Sequence, residues 1–558
     1  MDGNSSSQAD TGLTSRSLEV ATLPKPSEGV SPAMLAARLS TWASDQVDRD
    51  HRKCIGQFFT PLSVAKFMAL LVDVHPEVRI LDPGCGTAVL TCALIERLAA
   101  SKVCRKIQVV GYDVDKRMVE LARLALEETS KFCSSRNVAL EFDIREDDFV
   151  NATGTRLAFQ SGPEDITTEP FDVITCNPPY VKLRNGDPRA VIAKNVGAGV
   201  SNTYALFMML SAYLLKPGGQ MVFITPRSFC SGHYFARFRR EFFRMVQPAH
   251  IHVFDSRTET FASDNVLQES VILKTVKTHR DPAVNYLASV SSSVGMRDLE
   301  KSRFRKISLD KILDTTSPIR PLRLPTSHGD ERVLDYVDSW PRRLGSLGLR
   351  VSTGPVVPFR AKQHLSSLSA YSSGKAVPLL WSHHVGPMRI TWPSKKTGRK
   401  PEAIAVCEGS RELLVPLATC VLVRRFSPKE WPSRIVASVL SPIQFPSLTH
   451  IGLENHLNYI YRIGVEMSTD EACGLALILN SPILNRYFRI LNGNTQVSAT
   501  ELRSLPLPSL DTIKRLGKLW LKRSTEWNNT AANDLICEVI APPKELIDIE
   551  ETRGNGKS

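Results

Sequence analysis

Val78-Arg79-Ile80-Leu81-Asp82-Pro83-Gly84-Cys85-Gly86-Thr87 is where the fold is decided. A short apolar run ends in an acid, a turn with two glycines follows, and a helical pattern then continues through Leu98. Such a turn at the carboxyl edge of a parallel sheet is where nucleotide-like ligands bind, because glycine lets the backbone come close to them. The dinucleotide fingerprint G-x-G-x-x-G is not completed, since the residue three past Gly86 is Val89. On its own the segment also fits a plain tight βα turn.

The alternation continues downstream. Residues 107–115 (IQVVGYDVD) read as a second strand, 118–128 as a helix with an apolar stripe, and 137–145 as a third strand. Residues 171–180 (FDVITCNPPY) read as a fourth strand cut off by two prolines, 203–215 as a helix, 220–226 as a fifth strand and 233–246 as a helix. Strands at 251–255 and 269–276 have no helix between them, which predicts an antiparallel hairpin at one edge. The whole predicts an α/β fold with a doubly wound, mainly parallel sheet.

Upstream, residues 1–30 are rich in Ser, Thr, Gly and Pro without periodicity and read as a disordered tail; Leu35, Leu39 and Trp42 predict a helix in 32–50. Beyond residue 280 the pattern shifts to short, proline-punctuated strands, with helices near 468–480 and 510–524. The expected organisation is a catalytic domain over 31–276, a bridging segment over 277–345, a separate mixed α+β recognition domain over 346–530 and a tail over 531–558.

Charge supports this division. Residues 1–275 hold 31 Lys+Arg and 31 Asp+Glu, whereas residues 276–558 hold 39 and 26, so the whole net charge of +13 lies in the second half. A neutral half joined to a basic half suggests that the basic half faces a polyanion. The 11 cysteines include no CxxC pair, which argues against a zinc ribbon or a disulfide framework and fits a reducing cytoplasm. No metal site is expected. No apolar run is long enough for a membrane span and no secretory signal is visible, so no membrane partner is expected.

Four segments carry chemistry. Asp82 with Gly84 and Gly86 forms the ligand-facing turn. Asp113, at the end of the second strand, can accept both hydroxyls of a ribose, while Asp115 suits a helix N-cap. Asp148 beside Phe149 suits an adenine ring, the acid taking the exocyclic amine. In Asn177-Pro178-Pro179-Tyr180 two prolines fix φ and remove two donors, leaving carbonyls, an amide oxygen and an aromatic ring. That is an acceptor cluster for an NH₂ group with a stacking platform beside it. A ring-conjugated amine is a poor nucleophile, and two acceptors on its hydrogens favour a pyramidal nitrogen with its lone pair directed at an electrophile.

DPGCGT, GYDVD, DDF and NPPY, in this order and spacing, resemble the S-adenosylmethionine-dependent amino-methyltransferases. Gly56-Gln57-Phe58-Phe59-Thr60-Pro61 upstream, and the recognition half downstream, give the order of the gamma-class N6-adenine DNA methyltransferases. Residues 454–462 (ENHLNYIYR) and 491–508 (LNGNTQVSATELRSLPLP) are similar to the specificity regions of restriction–modification methyltransferases, especially the BsuBI/PstI type. The resemblance implies a class I methyltransferase fold and S-adenosylmethionine as cofactor. It implies that Thr60 touches the cofactor carboxylate and that Asp82, Gly84 and Gly86 line its methionine portion. Asp113 would hold its ribose, and Asp148 and Phe149 its adenine. Asn177 and the Pro178 carbonyl would bind the target amine, with Pro179 stiffening the turn. Tyr180 would stack on the target base, with Phe261 flanking it; Phe254 competes for that last role. Many relatives carry a third glycine where this chain has Ala88.

The target base must leave the duplex to be reached. Lys395, Lys396, Arg399, Lys400, Arg424 and Arg425 are candidate DNA phosphate contacts. The expected protein is a monomeric, cytoplasmic, DNA-associated bacterial enzyme. It would methylate adenine N6 in double-stranded DNA and protect the site from a cognate restriction endonuclease. An RNA or protein-glutamine methyltransferase, or a non-catalytic DNA specificity subunit, is the alternative.

Overall fold

The computed structural model describes residues 23–24, 29–46, 59–155, 157, 169–184, 186–199, 202–254, 270–278, 286–315, 317, 319–394, 400–427, 431–492, 496–523, 528–543 and 546. Most of the expected N-terminal tail, Phe261, Lys395, Lys396 and Arg399 lie outside them. The chain divides into two compact units, residues 1–183 with 202–223, and residues 184–201 with 224–558.

The first unit is built on β1 (Glu77–Asp82), β2 (Lys106–Asp113), β3 (Ala139–Glu146), β4 (Phe171–Cys176) and β5 (Leu215–Pro226). They lie in the order β3-β2-β1-β4-β5, all parallel. The chain winds outward from β1 to β3, then returns to place β4 on the other side of β1. That reversal opens a crevice at the carboxyl ends of β1 and β4, the position where doubly wound sheets bind ligands.

The helices follow from their burial patterns. The central helix of the β2–β3 crossover, Lys116–Ser134, buries Met118, Leu121, Ala122, Ala125 and Leu126 at helical spacing, and Asp115 caps it by accepting the Arg117 N–H, as expected. Helix Thr203–Leu214 is buried on nearly every side. The N-terminal helix, Pro32–Gln46, is pinned to the glycine turn: Thr87 donates to the Ala36 carbonyl at 3.0 Å and also meets Ser40, while Glu96 accepts the Ala33 N–H at 2.6 Å.

In the second unit β6 (Val246–Phe254) and β7 (Ser270–Lys277) form the expected antiparallel hairpin. However, β6 is not an edge strand. Within the stretch expected to bridge two domains, β8 (Leu287–Ser293) pairs parallel with β6, and β9 (Arg305–Ser308) pairs antiparallel with β8. β8 reads LASVSSS, yet Ser289, Ser291 and Ser293 are buried. Two of these hydroxyls meet the rings of two buried histidines: Ser291 is 3.0 Å from His250 and 2.8 Å from His252, and Ser293 is 3.0 Å from His252.

Further along, strands Leu349–Thr353, Leu457–Arg462, Cys420–Arg424 and Ala437–Leu440 make an antiparallel sheet in that order, and a five-stranded mixed sheet accompanies it. Helix Thr469–Asn480 crosses helix Leu510–Arg523 at two glycines. A Cβ on Gly474 would stand 1.8 Å from the Ile513 carbonyl oxygen, and one on Gly517 would stand 1.8 Å from that of Asp470. The stretch from 531, expected as a tail, opens as helix Asn529–Ile540. Asn528 caps it through the Thr530 and Ala531 N–H groups, and Ala532, Leu535 and Ile536 are buried at helical spacing.

Candidate active site

β1 delivers Asp82 into a dry environment. The residue is 1% exposed; its Oδ2 accepts the Thr91 hydroxyl at 2.7 Å, and its Oδ1 has no hydrogen-bond partner among the described residues. Burial pushes its pKa up to about 7, against the bonds from Thr91 and the Gly84 backbone, and the nearby Asp113 charge adds to the rise. A buried carboxylate with one unmet oxygen is a receptor for a cation or a strong donor. Gly84 and Gly86 follow. Gly86 is left-handed (φ 52°), and a Cβ there would meet nothing within 4 Å, so the turn is an open cradle. Ala88 is also left-handed (φ 64°) at the start of helix Val89–Ala100, where glycine is the unstrained choice.

Asp113 ends β2 and is oriented by backbone: its Oδ2 accepts the Gly86 N–H and its Oδ1 the Asp115 N–H, both at 2.9 Å. Burial raises its pKa to about 6. The Gly86 bond ties the ends of β1 and β2 into one rim. After β3, Asp148 caps the following π-helical turn by accepting the Val150 N–H at 2.8 Å, and Phe149 is buried against Tyr112 and Phe207 with ring centres 5.7 and 5.2 Å away.

Asn177 follows β4. Its Nδ2 donates to the Thr60 hydroxyl at 3.1 Å, and its Oδ1 accepts the Tyr180 hydroxyl at 2.8 Å. Both ends of the amide are thereby held by hydroxyl groups. The Tyr180 ring meets Tyr204 edge to face at 6.3 Å, and burial holds its phenol well above the usual pKa. Thus Thr60, Asp82, Gly84, Gly86, Asp113 and the Asn177–Tyr180 segment, with Asp148 and Phe149 beyond β3, all belong to the carboxyl edge of one sheet. Thr91 and Thr203 were not legible as partners in the sequence; a Thr on the helix leaving the glycine turn is the one signal for the first.

In the second unit, Phe254 is buried in β6, 4.7 Å from the His252 ring. Lys400, Arg424 and Arg425 each lie over an aromatic ring, those of Trp381, Trp431 and Phe426 at 4.7, 5.4 and 5.7 Å. Arg424 also donates to the Val385 carbonyl and Arg425 to that of Asn455, so Lys400 is the most exposed of the three. His383, His384 and Glu402 bring their donor atoms within 4.8 Å of one another. The hydrogen bonds oppose a metal there. His384 Nδ1 accepts the Trp381 N–H at 3.0 Å, which leaves the ring proton of neutral His384 on Nε2, facing Glu402 at 3.5 Å.

The Eco57I restriction-modification methylase family model matches residues 107–261. The Type II methyltransferase M.PstI of Providencia stuartii is 33% identical over 493 residues, 87% of this chain and 93% of that protein. M.BsuBI of Bacillus subtilis is 32% identical over 481 residues, 85% and 91% of the two chains. Among solved structures, the type IIG restriction endonuclease BpuSI aligns with 91% of this chain and 68% of its own at 14% identity and a TM-score of 0.40. Identity at this level, carried through both halves of the chain, goes well beyond a shared sheet: the protein belongs to the Type II DNA methyltransferases of restriction–modification systems, the family of M.PstI and M.BsuBI.

Proposed function

We propose that the protein methylates the exocyclic N6 of adenine at a specific site in double-stranded DNA, with S-adenosylmethionine as methyl donor. The observation that carries this reading is the position of Asn177-Pro178-Pro179-Tyr180 at the carboxyl end of β4, on the same sheet edge as the Asp82–Gly86 cradle and Asp113.

The residues fit the cofactor. The unmet, buried Asp82 Oδ1 suits the donor's ammonium group, the open glycine turn gives its methionine end room, and Asp113 remains able to accept ribose hydroxyls through its other lone pairs. Thr60, whose hydroxyl meets the Asn177 amide, would touch the cofactor carboxylate, and Asp148 and Phe149, which follow β3, would hold its adenine. When bound, S-adenosylmethionine supplies an electrophilic methyl group. The chain's own part is positioning. Asn177 Oδ1 and the Pro178 carbonyl accept the two amine hydrogens, so the nitrogen lone pair points along the transfer path. Pro179 fixes the turn, and Tyr180, with Phe261, flanks the flipped base. No residue need act as a strong base before transfer, because the amine becomes acidic only once methylated.

DNA binding is ascribed to the basic half, with Lys395, Lys396, Arg399, Lys400, Arg424 and Arg425 at phosphates. The enzyme acts as a monomer in the bacterial cytoplasm and shields its site from a cognate endonuclease. The Type II family removes the ground for an RNA or protein-glutamine substrate.

The test is methylated-base sequencing of DNA from cells with and without the gene, paired with tritium transfer by Asn177→Ala. One methylated adenine motif is expected, with turnover of the variant reduced about 10²–10³-fold and cofactor affinity within a few-fold. Methylation at cytosine, or near-normal turnover by the variant, would overturn the reading.

A further inference from the structure

We propose that Thr203 is a positioning residue for methyl transfer, the clasp that holds the Tyr180 platform in place; this rests on the reading of Asn177–Tyr180 given above. The chain after Pro179 belongs to no helix or strand of its own until Lys182, which bridges to Asn202. Two prolines stiffen the approach to Tyr180, and Thr203, 22 residues beyond Val181, holds its exit.

Thr203 is 2% exposed at the first position of helix Thr203–Leu214. Its hydroxyl lies within hydrogen-bonding reach of the Pro179 carbonyl and of the Val181 carbonyl at 2.9 Å, and it accepts the Val181 N–H at 3.1 Å. The Thr203 N–H donates to the same Val181 carbonyl at 3.0 Å. One side chain therefore binds the backbone on both sides of Tyr180. The next residue, Tyr204, sets the ring itself through an edge-to-face contact, with planes 86° apart. The helix start thus determines where the tyrosine ring stands and, through the Tyr180 hydroxyl, helps orient the Asn177 amide.

None of these contacts involves Asp82, the glycine turn or Asp113. Loss of the Thr203 hydroxyl should therefore separate transfer from cofactor binding. Valine keeps the shape of threonine but presents a methyl group to two carbonyls and an N–H, whereas serine keeps the hydroxyl.

The experiment compares full-length wild type, Thr203→Val and Thr203→Ser for kcat and KM on unmethylated DNA, for S-adenosylhomocysteine affinity by calorimetry, and for melting temperature. Thr203→Val should lower kcat about 10–100-fold, as expected for misplaced reacting groups, with cofactor affinity within twofold; Thr203→Ser should recover kcat to within about threefold of wild type. A Val variant with kcat within threefold of wild type overturns the proposal. So does a loss that serine does not rescue, or one that cofactor affinity follows. If Thr203→Val does not fold, Thr203→Ala is judged by the same three criteria. Asn177→Ala runs in the same assay: if it retains turnover, the reading of the site fails, whatever Thr203 does.

Discussion

Asp82 predicts a pH dependence of cofactor affinity that an ordinary carboxylate would not produce. Its carboxyl is buried, and the burial, reinforced by the Asp113 charge, places its pKa at about 7 in the ligand-free protein. Only the ionised form can pair with an ammonium group, so the proton must leave before or as the ligand binds. The apparent dissociation constant then scales with one plus the ratio of protonated to ionised Asp82. That factor is about 2 at pH 7, about 11 at pH 6 and about 33 at pH 5.5, so affinity should fall roughly fivefold over the first step and threefold over the second. Asp113, with a pKa raised to about 6, steepens the lower part. A carboxylate titrating near 3.8 would leave this window flat, and the ligand's own ammonium stays charged throughout it. Calorimetric titration of S-adenosylhomocysteine at several pH values measures the effect, and buffers of different ionisation enthalpy should reveal proton release near pH 6. Asp82→Asn should weaken binding at pH 7 by about 10- to 150-fold, the worth of a charge-assisted bond, and should remove the upper limb. Thr91→Val, which deletes a bond that lowers the Asp82 pKa, should move the limb to higher pH. A dissociation constant unchanged between pH 7 and 5.5, or an upper limb that survives Asp82→Asn, refutes the reasoning.

Three further outcomes follow from other contacts. Tyr180→Phe removes the hydroxyl that helps orient the Asn177 amide, so kcat should fall about fivefold, one neutral hydrogen bond, with cofactor affinity unchanged; a kcat equal to that of wild type would show that the hydroxyl does not orient the amide. Gly474→Ala puts a methyl 1.8 Å from a carbonyl oxygen and needs a shift of about 1.5 Å to reach ordinary contact; overpacking of about 1–3 kcal/mol or more should outweigh the helix propensity gain of about 1 kcal/mol, read as a lower urea midpoint. Burial lowers the His250 pKa to about 3 and that of His252 to about 4. The unfolded chain therefore takes up protons below pH 6.5 that the folded one refuses, and stability should fall with pH from there to about 4. By pH 5 each contributes about 2 kcal/mol of that loss, so His252→Gln should flatten the decline in urea midpoint.

The parallel half of the fold was legible because each signal was local. An apolar run, a turn and a helical stripe announced β1 to β4, and Asp113 and Asn177 stand at strand ends where their spacing put them. The hairpin of β6 and β7 was also readable, but β8 was not. Its serines look like loop residues until His250 and His252 supply partners for them, and that complementarity joins residues 39–41 apart in the chain. Thr203 and Thr91 escaped for the same reason: a hydroxyl carries no direction in sequence, and only the fold shows what it touches. Which side chains stand at this sheet edge could be read in advance; the bonds that orient Asn177 and Tyr180 could not.

The crossing of helices Thr469–Asn480 and Leu510–Arg523 has a consequence for how this family can vary. Where two side chains share a space, one can grow as the other shrinks, and substitution at one site opens a path at the other. Gly474 and Gly517 have no such exchange, because each faces the other helix's main chain rather than a side chain. The obstacle to a methyl at either position is a carbonyl that every amino acid carries. Neither glycine can rescue a change in the other, so the two should each be kept on their own account, and an analysis of coupled substitutions should find no signal between them.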